Sequence, residues 1–100
     1  MNNTQKEIIS LILEHYTHRE QKIKTVEELT ELSEIILQDY NKKEISTNKV
    51  LEEIADVEIM LEQLRRIYGL SRATISLKIN QKLKRQLERI NAETKKISTR

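Results

Sequence analysis

Apolar residues recur three and four positions apart along most of the chain, which is the spacing of helices that bury one face. This spacing predicts four helices, at about residues 4–16, 19–42, 49–68 and 72–92. Proline is absent and Gly69 is the only glycine, so the chain has little that would end strands or form tight hairpins. The predicted fold class is therefore all-α.

The loops on either side of the third helix contain helix-end signals. Ser46, Thr47 and Asn48 offer side-chain oxygens for its first turn, and Gly69 suits the left-handed conformation that follows a helix end. We assign all four helices to one domain over residues 1–100, because a chain of this length forms one domain at most. The segment 95–100 is predicted to be a frayed tail.

The first helix is apolar around more than half of its circumference. Its apolar residues are Ile8, Ile9, Leu11, Ile12, Leu13 and Tyr16. A helix with so wide an apolar surface packs on two sides. We therefore expect residues 1–17 to form an oligomerisation helix.

Each of the other three helices has a single apolar stripe that we expect to face a core. The stripes consist of Val26, Leu29, Leu32, Ile36, Leu37 and Tyr40; of Val50, Ile54, Val57, Leu61, Leu64 and Tyr68; and of Ile75, Ile79, Leu83, Leu87 and Ile90. The hydrophobic share is only 37%, without Phe or Trp, so the core of a lone chain would be thin. The composition therefore predicts an obligate homo-oligomer, either a homodimer or a homotetramer.

Two acidic residues of the third helix intrude on its apolar face. At about 100° per residue, Glu53 falls between Met60 and Leu64, and Asp56 lies at the edge of the apolar arc. A carboxylate on a buried face must be paired, hydrogen-bonded or bound to a metal ion. The other acidic residues of this helix, which we expect to point away, are Glu52, Glu58 and Glu62.

The second helix repeats this arrangement. Glu28 falls between Leu32 and Ile35 at the margin of the apolar stripe, and Glu31 lies just outside it. If the two helices pack antiparallel, as their short connection favours, the four carboxylates converge in one cleft and their mutual repulsion requires a cation. The alternative is that these four acidic residues lie on an ordinary solvated helix surface and form salt bridges.

The chemistry of these side chains favours magnesium as the cation. Carboxylate oxygens suit a hard divalent ion, and the chain contains no Cys and only two His, which argues against zinc or copper. A bound Mg²⁺ would keep some of its water and accept substrate phosphate oxygens at its open positions.

Two motifs in these helices resemble those of a known enzyme superfamily. Lys24-Thr25-Val26-Glu27-Glu28-Leu29-Thr30-Glu31-Leu32 is followed, 21 positions further on, by Glu53-Ile54-Ala55-Asp56. This pair resembles the EExxE and ExxD signature of the MazG-like, all-α nucleoside triphosphate pyrophosphatases, a superfamily that includes the dimeric dUTPases. The resemblance covers roughly residues 16–90.

The resemblance implies an enzyme that cleaves a nucleoside triphosphate between its α and β phosphates, giving the monophosphate and pyrophosphate in nucleotide house-cleaning. It also implies that Glu28, Glu31, Glu53 and Asp56 bind Mg²⁺, or Mn²⁺ in its place, and that one of them orients the attacking water. The implied protomer has four helices and forms an intertwined bundle with a partner chain. The chain has three Tyr as its only aromatic residues, so the sequence does not identify a base pocket. A degenerate family member that binds nucleotide without hydrolysing it is an alternative.

Charge is distributed unevenly along the chain. Residues 1–69 contain 9 Lys+Arg against 14 Asp+Glu, whereas residues 70–100 contain 9 against 2. Basic residues of the fourth helix are therefore candidates for binding the substrate phosphates, with a solvated basic face as the alternative. The phosphate-binding candidates are Lys78, Lys82 and Arg85, together with Lys24, one turn before Glu28.

Two other functions are compatible with the same pattern. One is a non-catalytic, oligomeric interaction protein whose basic fourth helix contacts nucleic acid. The inward-facing acids and the apolar stripe of that helix argue against a nucleic-acid partner. The other is a purely structural helical bundle.

The sequence gives no sign of a membrane or secreted protein. No apolar run approaches the roughly 20 residues that span a bilayer, and residues 1–5 lack the basic-then-apolar form of a signal peptide. The absence of Cys suits a reducing compartment. We therefore expect a cytoplasmic protein without a membrane partner.

Overall fold

A computed structural model describes residues 1–98 of the chain, and the side chains of residues 1–96. It consists of four α-helices, and the described residues contain no strand, which confirms the all-α prediction. Helix α4 continues past its predicted end, so residues 95–98 of the predicted frayed tail are helical, whereas residues 99 and 100 lie outside the described part. The helices are α1 (Asn3–His15), α2 (His18–Tyr40), α3 (Thr47–Ile67) and α4 (Arg72–Ser98).

Short polar side chains fix where the helices begin. Asn2, Thr17 and Ser46 are the N-caps of α1, α2 and α3, and each side-chain oxygen accepts a backbone N–H three residues on. Ser71 does the same for the N–H of Thr74 at the start of α4. Gly69 follows α3 with a φ of 65°, so the predicted left-handed position is confirmed.

The chain divides into two compact units, Met1–Gly69 and Leu70–Arg100. The first unit contains α1, α2 and α3, and the second contains α4. The assignment of residues 1–100 to one domain stays a prediction. Within residues 1–98, no helix combines the length and the apolar character that a membrane crossing requires.

Helices α2 and α3 form the main contact of the first unit, and α1 packs on α3. The two long helices are antiparallel, because Gln21 near the start of α2 bonds to Gln63 near the end of α3, while Glu28 lies beside Glu53. The apolar core of the described chain is small, as the composition predicted. Its buried members are Ile9, Ile35, Val57 and Met60.

The buried face of α2 differs from the predicted apolar stripe. Gln21, Thr25, Glu28 and Ile35 are buried against the neighbouring helices, and Leu32 is half-buried. These positions repeat at four and three residues, so they form one continuous seam along the helix. The members of the predicted stripe that are exposed instead are Val26, Leu29, Ile36, Leu37 and Tyr40.

The predicted stripe of α3 is only partly buried. Val57 is buried, and Val50 and Leu64 are half-buried. The exposed members of the stripe are Ile54, Leu61 and Tyr68. Since α2 and α3 meet through a seam that contains polar side chains, much of their apolar surface is left without cover in the single chain.

Candidate metal centre

Three carboxylates from two helices meet at the α2–α3 seam. Glu28 of α2 and Glu53 and Asp56 of α3 each offer an oxygen, and these oxygens all lie within 4.8 Å of one another. Glu28 is buried, Glu53 is half-buried and Asp56 is exposed. We call these three residues the carboxylate cluster; it has a buried end on α2 and an end open to solvent on α3.

The cluster contains two buried oxygens without a hydrogen-bond partner, Oε2 of Glu28 and Oε2 of Glu53. Only 7% of the Glu28 surface is exposed. A buried polar atom is normally satisfied, because burial without a partner costs about 1–3 kcal/mol and more for a charged group. Two such oxygens in one cluster therefore fit a cation-binding site.

Lys24 accounts for the other oxygen of Glu28. Its Nζ lies 3.2 Å from Oε1 of Glu28 and 3.7 Å from Oε2 of Glu27. The hydrogen bond and the negative charge of Glu28 raise the pKa of Lys24. The ammonium group of Lys24, one turn before Glu28, thus lies at the edge of the cluster. The ion pair leaves Oε2 of Glu28 without a partner.

The fourth predicted ligand, Glu31, is not among the three clustered residues but acts on one of them. The pKa of Glu53 is raised, first by burial and then by the negative charges of Glu31, Glu28 and Asp56. A side-chain hydrogen bond that protonated Glu53 donates to Glu31 adds to the shift. All four predicted acids therefore interact around Glu53.

The donor set of the cluster suits a hard divalent cation. All of its donor atoms are carboxylate oxygens, and they come from two helices whose packing fixes their separation. Asp56, on the exposed side, leaves room for water or a phosphate oxygen beside an ion. The residues present therefore fit Mg²⁺, which Glu28, Glu53 and Asp56 would hold, with Glu31 next to them.

The four predicted phosphate-binding residues are divided between the two units. Lys24 lies beside the cluster, as described above. Lys78, Lys82 and Arg85 lie on α4 and are exposed, with Lys78 donating a hydrogen bond to Gln81 at 3.0 Å. Their role in phosphate binding stays a prediction.

Glu62 is the one acid of α3 for which the sequence prediction was wrong. It was expected to point away, but it is buried and binds Arg65 at 2.6 Å and Arg66 at 3.3 Å. Arg66 also donates to the Ser10 hydroxyl and to the Lys6 carbonyl, and so links α3 to α1. The signal was present in the sequence, since arginines three and four residues after a glutamate lie on the same side of a helix.

No family model, curated protein or solved structure matches this chain. The resemblance to the MazG-like pyrophosphatases therefore rests on the two acidic motifs. What the structure adds is independent of that resemblance: Glu28, Glu53 and Asp56 come from both motifs and meet at one point.

Proposed function

We propose that this chain is a Mg²⁺-dependent nucleoside triphosphate pyrophosphohydrolase of the MazG-like type. The observation that supports the proposal is the carboxylate cluster, with its two buried oxygens that lack a partner. A purely structural helix pair gains nothing from buried, mutually repelling carboxylates, since apolar residues at the same positions are equally or more stable. A site that binds a cation for function needs them.

In the proposed reaction, water adds across the anhydride bond between the α and β phosphates, and the products are a nucleoside monophosphate and pyrophosphate. Glu28, Glu53 and Asp56 would hold the cation, which would neutralise phosphate oxygens and polarise the scissile group. Glu53 and Glu31 sit side by side, and the raised pKa of Glu53 favours the retention of a proton at this pair in the metal-free protein. With the negative charge of the pair offset, one of its carboxylates would be free to orient the attacking water.

Lys24 supplies positive charge at the edge of the same site. Its ammonium group is exposed and already bound to Glu28. When Glu28 binds the metal ion instead of Lys24, the ammonium group of Lys24 becomes available to a phosphate oxygen at the same site. We propose the same role for the basic face of α4, Lys78, Lys82 and Arg85.

We further propose that the enzyme is a homo-oligomer. The α4 stripe, defined as Ile75, Ile79, Leu83, Leu87 and Ile90, is exposed except for the half-buried Ile75. The predicted stripes of α2 and α3 are also largely exposed. A second copy of the chain would cover these apolar surfaces. The net acidic residues 1–69 of one copy would also attract the net basic residues 70–100 of the other.

The function is tested by incubating the purified chain with Mg²⁺ and a panel of ribo- and deoxyribonucleoside triphosphates, with the nucleotide products, pyrophosphate and phosphate measured in parallel. We expect a monophosphate and pyrophosphate in equal amounts, abolished by EDTA and by Glu53→Gln. Glu58→Gln is the matched control, because Glu58 is an exposed glutamate of the same helix outside the cluster. Release of orthophosphate instead, or turnover that survives Glu53→Gln, would contradict the proposal.

The alternative function, nucleic-acid contact by α4, is tested on the same preparation. It predicts binding of an oligonucleotide that weakens steeply with salt and with loss of Lys78, Lys82 and Arg85. It also predicts no dependence on Glu53. The proposed enzyme instead responds to Mg²⁺ and to Glu53.

A further inference from the structure

A cavity of about 770 Å³ lies within the first unit, where α1, α2 and α3 meet. Ile12 and Tyr16 of α1 and Ile23 of α2 form part of its wall. The wall also includes Gln21 of α2 and Met60 and Gln63 of α3. Its volume is in the range of small-molecule sites. Its lining combines apolar side chains and two amides with the charged residues Arg19, Glu20, Lys24 and Glu27.

Two buried amides in this cavity face each other across the helix pair. Nε2 of Gln21 donates to Oε1 of Gln63 at 2.7 Å, and Nε2 of Gln63 contacts Sδ of Met60 at 3.6 Å. Both glutamines are more than nine-tenths buried. We call them the amide pair. The amide of Gln21 keeps a second N–H and its own oxygen, an adjacent donor and acceptor of the kind that binds the edge of a nucleobase.

The amide pair lies at a fixed distance from the carboxylate cluster. Gln21 precedes Glu28 by seven residues on α2, and Gln63 follows Asp56 by seven residues on the antiparallel α3. Seven residues are two helical turns, or about 10 Å along both helices. Lys24 connects the two places, since it lines the cavity and binds Glu28.

We propose that the cavity binds the base of the nucleotide whose phosphates meet the carboxylate cluster, and that Gln21, held in place by Gln63, recognises the hydrogen-bonding edge of that base. This inference rests on the proposed function and adds a base site to it. Tyr16 and Ile23 lie against the faces of the planar ring, and the ribose lies beside Lys24, between the cavity and the cluster. The chain has three Tyr and no Phe or Trp, so the base is recognised by hydrogen bonds to an amide as well as by stacking.

The test compares the binding of two Mg²⁺ complexes by calorimetry. One contains an α,β-methylene nucleoside triphosphate, whose α–β bridge resists hydrolysis, and the other contains inorganic tripolyphosphate, which has the phosphates but no base. The test variant is Ile23→Trp, which fills the cavity from an exposed position. Its control is Gln38→Trp, because Gln38 is an exposed residue of the same helix that lies outside the cavity and outside the apolar stripe.

The calorimetry is repeated with α,β-methylene analogues that differ in base, and we expect at least one of them to bind tenfold or more tightly than tripolyphosphate. Ile23→Trp should remove that advantage and leave tripolyphosphate binding and the thermal melt unchanged. Gln38→Trp should change none of the three. Equal binding of both complexes, or the same loss for both in Ile23→Trp, overturns the base site and leaves the proposed function intact. If neither complex binds, the proposed function fails and the base site fails with it.

Discussion

Lys24 binds one oxygen of Glu28 at 3.2 Å, while the other oxygen of Glu28 is buried and has no hydrogen-bond partner. One oxygen of this carboxylate is therefore compensated by Lys24, and the group lies beside Glu53 and Asp56. A cation placed among the three carboxylates would neutralise the same negative charge that Lys24 offsets in the metal-free protein. The relationship makes Lys24 and a metal ion alternative partners for the same acidic group.

Lys24→Met should destabilise the metal-free protein, because Glu28 stays buried and loses the charge that it binds. The rise in melting temperature on adding Mg²⁺ should be larger in this variant than in the wild type, since no ammonium group competes for Glu28. Lys43→Met, at an exposed lysine in the loop between α2 and α3, is the control. A thermal melt with and without Mg²⁺ measures both effects, and an unchanged Mg²⁺ response would count against the competition.

Glu53→Gln should raise the melting temperature of the metal-free protein at neutral pH. The substitution removes a negative charge that is opposed by Glu31, Glu28 and Asp56. At saturating Mg²⁺ the wild type should have the higher melting temperature, because it binds the ion more tightly than the variant and is stabilised more by it. If Glu53→Gln instead lowers the melting temperature without metal, Glu53 makes a structural salt bridge and the metal centre is wrong.

The raised pKa of Glu53 also predicts how stability depends on pH. Burial and the neighbouring carboxylates raise the pKa of Glu53 in the folded chain above its ordinary value of 4.5. At a pH between the ordinary and the raised pKa, Glu53 keeps a proton in the folded chain and has released it in the unfolded chain. In that interval, this group makes the stability of the metal-free protein fall as the pH rises.

Urea denaturation of the wild type and of Glu53→Gln over a series of pH values measures this effect. The stability advantage of the variant should be small near pH 4.5, grow as the pH rises through the interval and then level off. An advantage that is the same at every pH would show that Glu53 does not titrate in this way. Glu58→Gln should give a flat difference.

The helices and the inward acids could be predicted from the sequence because both depend on local spacing. The caps at Ser46 and Gly69 are set by neighbouring residues, and the phase of Glu28 and Glu53 follows from the helical period. The pairing of Glu62 with Arg66 was missed, because hydrophobic periodicity assigns charged residues to the surface without asking what they bind.

The course of the α2–α3 seam could not be predicted from apolar spacing. Val26 and Ile36 belong to the stronger apolar pattern, yet the helices meet through Gln21 and Thr25. Which face of an amphipathic helix meets its neighbour within the chain depends on tertiary packing, and a helix that is apolar on more than one side offers a choice. The cavity was missed for the same reason, since Gln21 and Gln63 become neighbours only when the seam forms.

Glu62→Gln should lower the free energy of unfolding by about 1–3 kcal/mol, the usual cost of weakening buried hydrogen bonds to a charged group. Glu62 is bound by Arg65 and Arg66, and Arg66 extends the network to Ser10 of α1. The same urea series measures the loss, with Glu58→Gln as the exposed control. Hydrogen exchange should also show faster opening of α1, and a loss of stability without that change would separate Glu62 from the α1 contact.

Leu83→Glu should shift the mass of the particle in solution towards that of a single chain. Leu83 lies in the middle of the α4 stripe and is 56% exposed, so a charge there should be tolerated by the chain but not by an apolar interface. Leu77→Glu is a matched control, because Leu77 is a leucine of the same helix, is 61% exposed and lies about 160° from Ile79, outside the stripe. Light scattering coupled to size exclusion gives the masses of all three proteins. A wild type with the mass of one chain, or equal dissociation by both variants, would show that the α4 stripe does not join copies of this chain, and the apolar faces of α2 and α3 would then need another explanation.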